Sequence, residues 1–121
     1  MSRDERLMRT LASEIPQFRE AFKTHVADFG GVFCHALMEE FANLMMDALA
    51  KSRSGPDAAQ WALALKTGLD HLEKAYAGPD PAVKQLIRDS FLGHLWKAGE
   101  DLGELKVHMG PNLKKVLAEL K

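Results

Sequence analysis

A single cysteine, Cys34, stands in a chain of 121 residues. An internal disulfide and a multi-cysteine zinc site are therefore excluded, and a reducing, cytoplasmic setting is the simplest expectation. Neither sign of charge dominates: sixteen Lys and Arg face seventeen Asp and Glu, for a formal charge of −1. A general nucleic-acid binder usually carries a clear basic excess, so no nucleic-acid partner is expected. No stretch approaches the roughly 18 continuous apolar residues of a membrane span. The opening MSRDERLMRTLASEIP is charged where a signal peptide would be apolar, so no membrane association is expected either. No glycine pattern matches a phosphate loop or a dinucleotide fingerprint. No segment alternates with period two, so no strand is predicted.

Helical periodicity is what the chain does have. Asp80 to about Ala98 reads as one helix with apolar residues most of the way round. Val83, Leu86, Ile87, Phe91 and Ala98 lie on one side with Ser90 and His94, and Leu92, Leu95 and Trp96 form a second stripe. A helix apolar on several sides is packed on several sides, so this one is expected at the centre. Ser2 and Glu5 open a first, peripheral helix through Leu7, Met8, Leu11 and Ile15. A second runs from about Gln17 to Asp28 and stops at Gly30-Gly31, a C-cap and turn. A third runs from about Val32 to Lys51, with an apolar face from Phe33 to Leu49. A fourth starts after Asp57 and ends near Tyr76, with Leu63 pointing away from its core stripe. Asp80 as N-cap and Pro81 at the first helical position start the central helix. Residues 97–109 read as loop with one helical turn, and Pro111 opens a last helix. The expectation is an all-α fold: one domain over residues 1–121, a compact bundle of five to six helices, mostly antiparallel neighbours, with the central helix at about 80–98.

No set of residues makes a catalytic or metal-binding constellation, and no cofactor is implied. His25 and His94 project from apolar faces, with no carboxylate on those faces close enough to complete a ligand set, and they read as core histidines. His35 and Glu39 have the four-residue spacing that lets two side chains hold one ion, but di-iron bundles need several such pairs. Ser90 lies in a helix interior without the base and oxyanion hole a nucleophile needs, and reads as a small residue at a helix crossing. Cys34 reads as an inert thiol. Most informative is the polar face of the third helix. Glu39, Glu40 and Asp47 share it with His35, Asn43 and Met46, and no Lys or Arg lies between them. A solvated face usually interleaves both signs; three uncompensated carboxylates suit the steering of a basic partner.

Three segments, HVADFGGVFCHALMEEF (25–41), GPDPAVKQLIRDSFLGHL (78–95) and MGPNLKKVLAEL (109–120), resemble an uncharacterised family of small all-helical bacterial proteins. The matching positions are His25, Ser90, Phe91, Leu92, Leu95, Gly110, Pro111 and Leu113. This chain differs in placing Gly93-His94 after SFL. Members of such families resemble immunity proteins of bacterial toxin systems. The resemblance implies a non-enzymatic module that binds a cognate toxin domain, as a monomer or homodimer, and the acidic face of the third helix offers His35, Glu39, Glu40, Asn43, Met46 and Asp47 as its partner-binding residues. A histidine-based metal protein or enzyme and a homo-oligomeric structural protein are the rival expectations.

Overall fold

Ser2 accepts a hydrogen bond from the Glu5 N–H through its hydroxyl and so caps the first helix, α1 (Arg3–Glu14), as its sequence predicts. The computed structural model describes residues 2–120. After α1 come α2 (Pro16–Phe29), α3 (Cys34–Lys51) and α4 (Ala58–Tyr76). The central helix, α5, follows without a break through Pro81–Leu86, a wide π-helical turn at Ile87–Leu92, and Gly93–Lys97. Two short helices, α6 (Gly103–Val107) and α7 (Pro111–Leu120), close the chain. No strand occurs among the described residues.

The fold is all-α, with seven helices among the described residues rather than the five to six expected. The additional helix is α6, the single helical turn expected within residues 97–109, which buries Leu105, with Leu102 and Met109 buried on either side of it. Breakers act as predicted. Gly30 ends α2 in the left-handed conformation at φ 73°. Asp80 accepts from the Ala82 and Val83 N–H groups and Pro81 takes the first position of α5. α3 begins at Cys34, two residues later than expected, because Phe33 remains extended.

All seven helices contribute to one core. α5 packs on α1, α3, α4 and α7, and α3 packs on α1, α2, α4 and α5. The centre is therefore shared between two helices. α1 is not peripheral: Met8 and Leu11, with Ile15 just after it, are fully buried, and the helix touches α2, α3, α4 and α5. Three aromatic rings run through the middle. Phe18 of α2 meets Phe41 of α3 edge-on at 4.9 Å, and Phe41 lies 6.1 Å from Phe91 of α5.

The periodicity of α5 misleads in its last turns. Trp96 is 45% exposed, and Ala98 lies beyond the helix, also exposed. The wide turn accounts for this. A π turn holds more residues than an α turn, so residues after Leu92 are rotated away from where a constant 3.6-residue period puts them. Gly93 fits the end of that turn. Its N–H donates to the Arg88 carbonyl, five residues back, and a Cβ at Gly93 would lie 3.0 Å from that oxygen.

Candidate polar surface on helix α3

Successive residues of an α-helix are about 100° apart. His35, Met46, Glu39, Asn43, Asp47 and Glu40 therefore follow one another around an arc of roughly 140° on α3. All six face away from the buried stripe of Leu37, Met38, Phe41, Met45 and Ala48. Met46 is partly buried and the other five are exposed.

The two edges of this arc are tied to neighbouring helices by histidine. On one edge, His35 Nδ1 lies 2.6 Å from Ser90 Oγ of α5. One turn further on, His94 Nε2 lies 3.0 Å from Asn43 Oδ1 and His94 Nδ1 is 3.8 Å from Glu39 Oε2. On the other edge, His25 of α2 is buried, with Nδ1 2.9 Å from Glu40 Oε2. The Phe33 N–H donates to His25 Nε2 at 3.1 Å. That donor makes Nε2 an acceptor, so the imidazole is neutral with its proton on Nδ1, donating to Glu40.

The expectation concerned carboxylates on the histidines' own helix faces; those that reach them stand on α3, Glu40 at His25 and Glu39 at His94. Both carboxylates come from a neighbouring helix, where periodicity within the histidine's own helix cannot reveal them. The two histidines stand on opposite edges of α3 and do not meet. Among the described residues, no three His, Cys, Asp or Glu side chains are placed to hold one metal ion.

His25 therefore pins the Gly30–Phe33 turn between α2 and α3. His25→Phe keeps an aromatic ring beside Phe29, now 4.7 Å away, but strands the Phe33 N–H and frees Glu40. The expected loss is about 2 kcal/mol in chemical denaturation. Glu40→Gln retains an acceptor for Nδ1–H and should cost under about 1 kcal/mol.

At the far end of the arc, Met46 and Asp47 line a groove of about 430 Å³ with Arg53, Glu100, Asp101 and Glu104. Arg53 pairs with Glu104. Asp47, Glu100 and Asp101 have no basic partner within ion-pair distance among the described residues. At the near end, Phe29 and Phe33 are 58% and 54% exposed, with ring centroids 5.8 Å apart and His25 beneath them. Periodicity had assigned both rings to apolar faces. They fall where α2 ends and α3 begins, beyond the reach of the core.

Ser90 is buried as expected of a residue at a helix crossing, and its hydroxyl meets an imidazole. That pair resembles a nucleophile and its base. It lies inside a helix–helix contact, however, and neither residue lines the groove beside Met46 and Asp47. Cys34, at the start of α3, has its thiol pushed up to about 11 by partial burial and by the Asp4 and Glu5 carboxylates of α1. Only the thiolate is nucleophilic. Against an ordinary value of 9.0, alkylation by iodoacetamide near pH 8 should be about a hundredfold slower than for a free cysteine. The rate should keep rising through pH 10, which a series of timed mass spectra would show.

The architecture is that of an all-helical protein in which one exposed helix face, acidic and flanked by aromatic rings, is held rigid at both edges. Residues 8–121 match the profile of a family described as a domain of unknown function, DUF7674, and the chain belongs to that family. No curated protein and no solved structure matches the chain.

Proposed function

We propose that this protein is a non-enzymatic binding module whose partner is a protein with a basic surface, and that it acts as an immunity-type protein neutralising a toxin domain in the cytoplasm. The observation that carries the reading is the α3 face itself. The exposed rings of Phe29 and Phe33 stand at one end, Glu39 and Glu40 lie along it, and Asp47, Glu100 and Asp101 stand without basic partners at the other. Aromatic anchors beside a charged rim are the usual composition of a protein interface. Unpaired carboxylates speed encounter with a basic partner. The histidine ties support binding over catalysis, because His25 spends both ring nitrogens on Glu40 and the Phe33 N–H, and His94 spends Nε2 on Asn43. No helix among the described residues is long and apolar enough to cross a membrane.

The test is capture of partners from the source cells with the full chain as bait, at low and moderate salt. Asp47→Lys/Glu100→Lys and Phe33→Ser variants run beside the wild type. The expected result is one stoichiometric partner, retained less well at higher salt, weakened about tenfold or more by the charge reversal and by the loss of the ring. A partner captured equally by all three proteins would place the interface elsewhere. Inhibition of that partner's toxicity in cells separates the immunity role from binding alone.

A further inference from the structure

A second cleft lies away from α3, where the first half of α1 faces the end of α4 and the start of α5. Its volume is about 490 Å³, within the range of small-molecule sites. Arg3 and Arg6 line it from α1, three residues apart and so on one helix face. His71 and Lys74 line it from α4 with the same spacing. Leu7 and Val83, both buried, lie at its base.

The charges are unbalanced. Arg3, Arg6 and Lys74 border the cleft against one carboxylate, Asp80. Asp80 is already engaged, capping α5 and lying 3.8 Å from Arg3. Glu14, which pairs with His71 at 3.8 Å, is not among the residues lining the cleft. Arg6 and Lys74 have no carboxylate within ion-pair distance among the described residues. Three permanent cations against one carboxylate leave two positive charges in a chain whose formal charge is −1. Gathering like charges at one place opposes folding, and a bound anion removes that cost. We infer that this cleft binds a small phosphate monoester: a dianion matched to the two surplus charges, held by arginine forks, with an apolar group over Leu7 and Val83.

The site is separate from the α3 face, so its test is independent of the binding module proposed above. Phenyl phosphate, inorganic phosphate and benzoate are titrated into the full chain, followed by amide chemical shifts and by the thermal midpoint. Phenyl phosphate should bind saturably, shift the amides of Arg6, Thr10, Lys74 and Ala75, and raise the midpoint, as a ligand specific for the folded state must. Inorganic phosphate and benzoate, each lacking one half of the recognition, should bind more weakly. Both cations are exposed, so Arg6→Gln/Lys74→Gln should fold normally, and should lose phenyl phosphate affinity by about tenfold or more. Non-saturable shifts, or equal affinity in the double variant, would overturn the site. Equal affinity for inorganic phosphate would overturn the monoester assignment.

Discussion

Phe41→Ala should destabilise the protein by about 3–5 kcal/mol, the largest loss expected from any single truncation here. The ring is fully buried at the middle of α3, edge-on to Phe18 and 6.1 Å from Phe91. Removing it opens a void bordered by three helices that are themselves fixed by other contacts, so the surroundings cannot collapse to fill it. Aromatic pairing adds to the loss beyond the area term. Folded stability is only about 5–15 kcal/mol for a typical domain, so the variant should unfold at markedly lower denaturant. Phe41→Leu should recover roughly half of the loss. A Phe41→Ala cost below about 1 kcal/mol would show that α3 is not the packing centre.

The second large effect concerns the start of α7. Glu73, on α4, accepts hydrogen bonds from the Asn112 and Leu113 N–H groups at 2.9 and 3.0 Å. The first N–H groups of a helix have no intrahelical acceptor. Here the cap comes from a carboxylate about forty positions earlier in the chain. A Cβ at Gly110 would stand 2.5 Å from Glu73 Cδ, so glycine is what lets the carboxylate approach. Pro111 holds the first helical position, where its missing N–H costs nothing. The Gly-Pro-x-Leu signature is thus the receiving half of a contact between helices. Glu73→Ala should cost about 2 kcal/mol, and Gly110→Ala a similar amount by pushing the carboxylate away. The double variant should lose clearly less than the two together, since alanine at 110 has no carboxylate left to displace. Strict additivity in urea denaturation would mean that the two residues act separately.

Most of the scaffold is legible in the sequence, because turns and caps are written locally. Asp80-Pro81, Gly30-Gly31 and the Ser2 cap all act where their residue types place them. The buried stripes from Leu37 to Leu49 and from Leu65 to Leu72 follow helical spacing. The α3 polar face was also readable, since its six residues belong to one helix. What escaped depends on the approach of distant segments. Glu40 with His25, Glu39 with His94 and Glu73 with α7 join residues that no single-helix period relates. Phe29, Phe33 and Trp96 have the right type and spacing for a core, but stand where helices end or turn. The basic cleft was missed for the same reason, since its cations come from α1 and α4.

The wide turn in α5 bears on how relatives of this chain should be aligned. A helix that accommodates one residue more than its regular pitch in a single loop of backbone can also shed that residue without moving its ends far. A relative one position shorter between Ile87 and Gly93 would close this turn to a regular α turn and keep every later side chain of α5 on the face it has here. The residue at the place of His94 would still meet Asn43. Length variation at this one place would leave both the interior and the contact with α3 in register, and a one-residue gap there should be read as the loss of the wide turn, not as a shift of every residue after it.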